Sequence, residues 1–412
     1  MSNLQEHNGV KRQQYSSIDG LRSYPAIAFV FLHIMANSDY GINDYLYQTF
    51  IPYLSNFSAI FTHWAIGLSY VDALLCGLIK TQKRDNQKAG EMKGAIAGMM
   101  NKSDKIYVAG HQGMVGSAIS RELKQSGFTD LLLRTHAELD LTRQADVEAF
   151  MACERPDYIF LAAAKVGGIQ ANEEALADFM YINMMMEMNV IHAAWKNNAK
   201  RLLFLGSSCI YPRLAAQPIQ ESSLLTGELE KTNEAYALAK ISGLKYCEYL
   251  NRQYGTDYIS IMPTNLYGPN DNYHPTHSHV LPALIRRFHE AKENHAESVT
   301  CWGDGSPKRE FLFVNDLAEL CVFAMDHYRD NETLNAGTGV ELTIKELTDL
   351  VAQVVGYTGL IAWDTSKPNG TPRKLLDVSK SKALGWQYKT ELREGIRLAY
   401  KDFLDNPARA ER

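Results

Sequence analysis

Six cysteines lie scattered through the 412 residues (Cys76, Cys153, Cys209, Cys247, Cys301 and Cys321), and no two are spaced as a Cys-x-x-Cys pair. That argues against both a disulfide framework and a zinc site, and the expected compartment is the reducing cytoplasm. Basic excess is lacking too: 42 Lys and Arg stand against 47 Asp and Glu, a formal net charge of −5. A nucleic-acid partner leaves a positive footprint, so none is expected. The twelve histidines include His274, His277 and His279, but their spacing across a Pro-containing loop matches no metal motif, and no metal is expected. Long apolar runs are also scarce. Tyr24–Ala36 is about 13 residues, short of the roughly 20 needed to cross a bilayer, and Trp64–Ile79 carries Asp72. Neither end has a small-residue cleavage site after a clean apolar core, so no cleavable signal is read there.

What the chain does have begins near residue 100. Short apolar runs at Lys105–Ala109, Leu131–Leu133, Tyr158–Ala163, Leu202–Leu205 and Tyr258–Met262 alternate with helical patterns. That order predicts a parallel sheet with crossover helices, an α/β fold. Between the first strand and the helix predicted over Ser117–Gln125 lie Gly110, Gly113 and Gly116, which permit a tight turn and the close approach of a pyrophosphate to a helix N-terminus. Downstream, Leu205-Gly-Ser-Ser-Cys-Ile-Tyr-Pro212 places Ser207 and Cys209 two apart, on one side of an extended stretch. Tyr236 and Lys240 are four apart and share a helix face, where an ammonium would pull the phenol pKa down towards neutrality. Such a set can polarise a carbonyl, protonate its oxygen and move a proton on carbon. At 412 residues the chain exceeds one ordinary domain. The expected division is 1–99 as an appendage, 100–270 as a nucleotide-binding domain and 271–412 as a mainly substrate-binding segment.

Residues 100 to about 406 resemble the GDP-L-fucose synthases, which are extended short-chain dehydrogenases. The residues that carry the match are Ala109–Gly116, with its G-x-x-G-x-x-G spacing, Leu161–Gly168, Leu205–Pro212, Tyr236-x-x-x-Lys240, Met262–Pro269, Ser278-His-Val280, Arg309–Leu312 and Gly370–Asp377. The resemblance implies a doubly wound Rossmann sheet with a smaller C-terminal α/β substrate lid. It implies Ser207, Cys209, Tyr236, Lys240 and His279 as the catalytic set. Cys209 would remove a proton next to a 4-keto group and His279 deliver one from the opposite face. Tyr236 would protonate the oxygen during reduction, with Lys240 holding the nicotinamide ribose. For NADPH the implied contacts are Gly110, His111, Gln112, Gly113, Met114, Val115, Gly116, Arg134, His136, Leu205, Ser208, Lys240, Pro263, Leu266 and His279. For a nucleotide-sugar substrate they are Arg287, Trp302 and Arg309, arginine being suited to a diphosphate. A homodimer is implied as well. Two positions depart from the family pattern: Gln112 and His136 stand where arginine is common. NADPH is still expected over NADH, with weakened discrimination, because no acidic residue at the second strand end favours an unphosphorylated ribose. Another nucleotide-sugar 4-reductase or epimerase would keep Ser207, Tyr236 and Lys240 without needing Cys209 and His279. A redox-sensing or scaffold protein on this fold would have lost Tyr236 or Lys240.

The front 99 residues follow a different pattern. Ile18-Asp-Gly-Leu-Arg22, the run to His33 and Val71–Ile79 resemble the start of the membrane acyltransferases that O-acetylate polysaccharides, and the resemblance stops near Lys80. Those enzymes need many further spans to build a site. The segment is therefore read as an apolar appendage, partly helical or disordered, left by a gene fusion or a misread start and capable of weak membrane association through residues 24–79. Deleting residues 1–99 is expected to leave turnover per folded molecule unchanged and to improve solubility, because exposed apolar stretches favour association. Comparing kinetics and light scattering of the full and shortened chains checks this, and loss of activity on truncation would contradict it.

Overall fold

The computed structural model describes residues 99–367 and 369–406. The expectations for the appendage therefore lie outside the described residues, and the account begins at Met99.

Strand β1 (Ile106–Ala109) is buried along its whole length and runs into helix α1 (Met114–Gln125). There follow β2 (Leu131–Leu132), α2 (Gln144–Glu154), β3 (Tyr158–Leu161), α3 (Ile169–Glu174), α4 (Leu176–Lys196), β4 (Arg201–Leu205), α5 (Glu234–Tyr254) and β5 (Tyr258–Pro263). After β6 (Asn265–Tyr267) come α6 (Val280–Glu293), β7 (Ser298–Trp302), β8 (Lys308–Phe313), α7 (Val314–His327), β9 (Leu334–Ala336), β10 (Glu341–Thr343) and α8 (Ile344–Val355). The remaining elements are β11 (Leu360–Asp364), β12 (Arg373–Lys374), α9 (Ser379–Ala383) and α10 (Leu392–Asp405).

The large sheet has the order β2-β1-β3-β4-β5-β9, and every pair in it is parallel. Strands buried on both faces read as unbroken apolar runs, which is why β1, β3 and β4 were legible as Ile-Tyr-Val-Ala, Tyr-Ile-Phe-Leu and Arg-Leu-Leu-Phe-Leu. Successive side chains point to opposite faces, and the packing follows. Tyr107, Ile159, Leu202 and Phe204 join the core under α2, α4 and α5. Ile106, Phe160, Leu203 and Ile261 join the core under α1 and α7. The sheet is thus wound with helices on both sides, as expected. Residues 314–336, within the segment read as mainly substrate-binding, return to this sheet as α7 and β9.

The smaller lobe has its own core, in which Leu284, Phe288, Phe313, Leu347, Val351, Ile396 and Phe403 meet. Strand β8 is its spine: it pairs antiparallel with β10 and parallel with β12 and β6. A separate parallel pair, β7 with β11, completes the lobe. Helix α8 begins with a reciprocal cap, Thr343 accepting from the Glu346 backbone while the Glu346 carboxylate accepts from the Thr343 N–H.

Two glycines in the first turn are dictated by backbone contact. Gly110 has φ +82°, and a Cβ there would lie 2.7 Å from Ala163 Cα. A Cβ at Gly116 would lie 2.1 Å from the Gly110 carbonyl oxygen. Gly116→Ala is therefore expected to cost roughly 1–3 kcal/mol through overpacking and to weaken dinucleotide binding by displacing the turn. Thermal unfolding and a cofactor titration would read both, and wild-type values in each would contradict the steric argument.

Candidate active site

The strand order reverses beside β1: the chain steps out to β2 on one side and then to β3 on the other. A crevice opens at the carboxyl ends of strands at such a point, and it is where doubly wound sheets bind nucleotides. Gly113 is the N-cap of α1, no side chain caps that helix, and its first turn holds no acidic residue. Its leading N–H groups are thus left to meet an anion. A Cβ on Gly113 would meet only the Gly110 carbonyl, at 3.4 Å, so this glycine leaves room for a ligand rather than for protein. His111 Nδ1 is buried with no hydrogen-bond partner among the described residues. Gln112 is exposed, Met114 and Val115 are half-buried and Gly116 is buried. The turn fits a dinucleotide diphosphate.

The ribose end is arranged differently from what the sequence suggests. Arg134 Nη2 lies 2.9 Å from Glu154 Oε1 at the end of α2, and its Nη1 donates to the Leu133 carbonyl. Its charge is already engaged. His136 is exposed, with Nδ1 3.9 Å from Asp140. Neither side chain stands as a free cation waiting for a 2′-phosphate.

Beyond β4 the chain enters a single 3-10 turn, Ser208–Ile210, capped by the Ser207 hydroxyl, which accepts from the Cys209 N–H at 3.2 Å. This short turn is what presents Ser207 and Cys209 to the same space while Ser208 is buried. The Ser207 hydroxyl also hydrogen-bonds the Tyr236 phenol. Cys209 Sγ accepts from Asn233 Nδ2 at 3.2 Å and from Lys374 Nζ at 3.5 Å. On α5, Lys240 is almost fully buried; its Nζ donates to the Leu205 carbonyl at 2.9 Å and lies 2.9 Å from Glu187 Oε1 on α4. Pro263 ends β5 opposite Ala336, and Leu266 lies on β6, both next to the same sheet edge.

The tyrosine corrects one expectation. Lys240 Nζ stands 5.8 Å from the Tyr236 ring centre, yet the phenol is pushed up from its ordinary value rather than down. Burial is the largest cause, with Cys209 and Glu187 adding to it and the Ser207 hydrogen bond opposing. The lysine does not act as a lone cation, because Glu187 faces it and is itself wholly buried.

His279 is the N-cap residue of α6 and makes no side-chain cap bond. The residue keeps exposed surface. Even so, desolvation by the protein packed around its ring and then the Lys374 ammonium hold its pKa below the ordinary 6.5. Lys374 thus stands near both Cys209 and His279, although the sequence reading placed it in a motif and gave it no role. Among the substrate candidates, Arg309 feels the charges of Cys209 and Glu230, which places it near the thiol. Trp302 is exposed, with the Lys367 ammonium 5.6 Å from its ring. Arg287 donates to the Thr300 carbonyl at 3.2 Å, on the β7 side of α6.

The sequence model of the NAD dependent epimerase/dehydratase family matches residues 106–337. GDP-L-fucose synthase 1 of Arabidopsis thaliana is 60% identical over 311 residues, 76% of this chain and 96% of the relative. The chain belongs to the GDP-L-fucose synthase family. The Escherichia coli GDP-L-fucose synthase is 55% identical over 314 residues, 74% of this chain and 98% of its own length. Among solved structures, a GDP-mannoheptose C4 reductase from Campylobacter jejuni with NADP bound superposes with TM-score 0.68 at 39% identity, covering 74% of this chain and 99% of the other. This family membership covers the segment whose motifs pointed to it.

Lys374 yields a direct test. In Lys374→Met the ammonium that disfavours the imidazolium is gone, so the His279 titration midpoint is expected to move up towards 6.5. NMR of the ring protons would follow it, and a midpoint that stays put or falls would contradict the assignment.

Proposed function

We propose that the protein converts GDP-4-keto-6-deoxy-D-mannose to GDP-L-fucose with NADPH, epimerising C3 and C5 and reducing C4 in one site. The observation that carries this reading is the grouping of Cys209, Ser207 and Tyr236 around one small space, with His279 and Lys374 at its border. A plain reductase has no use for the thiol and the imidazole. When bound, NADPH supplies the hydride for C4, and Gly110, Gly113, Gly116 and the N-terminus of α1 would hold its diphosphate.

The remaining chemistry belongs to the chain. The 4-keto group acidifies C3 and C5, and Cys209 takes the proton there as the base. Negative charge then grows on the keto oxygen, where the Ser207 and Tyr236 hydroxyls donate. His279 returns a proton to the opposite face, which inverts the centre. In the reduction the same oxygen becomes an alkoxide as hydride reaches C4, and Tyr236 gives it a proton. A phenol kept neutral by its surroundings suits a donor. Arg309 and Arg287 are the diphosphate candidates and Trp302 the base-stacking one.

The chain is further read as a cytoplasmic homodimer. Among the described residues, no helix is long and apolar enough to cross a membrane. Helices α4 and α5 pack side by side and leave Leu176, Met180, Tyr181, Leu238 and Tyr249 exposed, a surface of the kind that two copies cover. The rival reading is a C4 reductase alone, as in the Campylobacter relative.

Paired variants separate the two readings. Tyr236→Phe is expected to slow reduction by at least ~10²-fold while deuterium exchange from solvent at C3 and C5 keeps a larger share of its rate. Cys209→Ser is expected to do the reverse, stopping exchange and leaving slow reduction of the unepimerised sugar. NMR of the product in D2O reads both, and undiminished exchange in Cys209→Ser would favour the plain reductase.

A further inference from the structure

Glu187 is a buried acid that the chemistry above leaves unused. It lies on α4 in the stretch Met184-Met-Met-Glu-Met188, with no exposed surface at all. Isolated carboxylates are not buried without a partner, and here the partner is Lys240, with Nζ 2.9 Å from Oε1. The fit around the carboxylate is close: a Cβ at Gly243 would lie 2.8 Å from Oε2 and 2.7 Å from the Phe204 ring. Lys240 has three protons to give. One goes to the Leu205 carbonyl and one faces Glu187, while the Tyr236 ring centre lies 5.8 Å from Nζ.

We propose that Glu187 is a positioning residue for proton donation: it anchors Lys240 and cancels its charge, so that Tyr236 enters the reduction as the neutral phenol. This rests on the reading of Tyr236 as the proton donor to O4. The pair carries no net charge whichever partner holds the shared proton. Burial pushes the Glu187 carboxyl up and the Lys240 ammonium opposes that. An uncompensated ammonium at this distance would favour phenolate, which is the right form for oxidising an alcohol and the wrong one for protonating an alkoxide. Glu187 therefore biases the site towards the reductive direction. The other groups facing Tyr236 are Ser207 and Cys209 from the turn after β4, and Cys247 on α5 also faces Glu187. None of them supplies a positive charge.

The test uses the full chain labelled with [ζ-13C]tyrosine, the Tyr236 signal being assigned by its loss in Tyr236→Phe. In the wild type Tyr236 should remain neutral through pH 10. In Glu187→Gln, which leaves the ammonium uncompensated, its titration should move down by on the order of one to two pH units relative to the wild type. The alkaline limb of the kcat profile for reduction should move with it. Glu187→Asp keeps the charge and should restore the wild-type limb, which a purely structural role would not do.

Removing one partner of a buried pair can unfold a protein, so Glu187→Leu with Lys240→Met is measured as well. It removes both charges at once and should leave the Tyr236 titration where it is in the wild type. A Glu187→Gln protein that folds and titrates as the wild type overturns the proposal. So does a double variant whose phenol loses its proton at higher pH than the wild type, since Lys240 would then have been acting as a net cation. If the NMR titration shifts as expected but the kinetic limb does not follow, the inference about Glu187 stands and the reading of Tyr236 as donor fails.

Discussion

All six strands of the main sheet run the same way, so every carboxyl end lies along one edge and the chain must leave from that edge each time. Each departure is a chance to place a group there. The glycine turn leaves from β1, the Ser-x-Cys turn from β4 and the Pro263–Leu266 stretch from β5. Helix α5 then delivers Tyr236 and Lys240 to the same edge from one turn to the next. A buried bond at this convergence runs from Lys240 Nζ to the Leu205 carbonyl, the last carbonyl of β4, and the Ser207–Tyr236 bond lies beside it. Together they tie the helix to the strand end and keep the phenol beside Ser207.

The parts of this arrangement that were legible in the sequence are those in which local chemistry leaves few choices. Gly110 must take a positive φ and Gly116 must let a carbonyl pass close by, so both had to be glycine. Strands β1, β3, β4 and β5 are buried on both faces and are mostly apolar, with Arg201 opening β4 and Ser260 inside β5. Tyr236 and Lys240 sit one helical turn apart. In each case the spacing in sequence is the spacing in space.

The residues that escaped notice depend on long-range return. Lys374 reaches Cys209 only because β12 docks on β8, a pairing no local pattern announces. Glu187 sits among methionines on a helix, where an acid reads as a surface residue until α4 is laid against α5. The one available hint was an acid inside an otherwise apolar stretch. The partner of Arg134 was hidden for the same reason: the strand end predicts where its backbone lies, but Glu154 arrives from the far end of α2 to pair with the guanidinium. The expectation of a lowered Tyr236 pKa counted the lysine but not the burial of the phenol, which is the largest cause, nor the neighbouring Cys209 and Glu187.

The route of the chain between the two lobes carries a further consequence. It leaves the large sheet after β5, builds β6 to β8, returns as α7 and β9, leaves again for β10 and α8, and comes back once more. On that last visit Leu376, Val378 and Trp386 enter the two cores flanking the sheet, before α10 closes the small lobe. Lobes sewn together by so many passages cannot melt one at a time. Residues 100–270 alone would lack the sixth strand and half of the helical cover on one face, so neither lobe is an autonomous folding unit. The two lobes of the described residues should come apart in one cooperative step, and their rigid-body opening is restrained by several strands of chain rather than by one hinge.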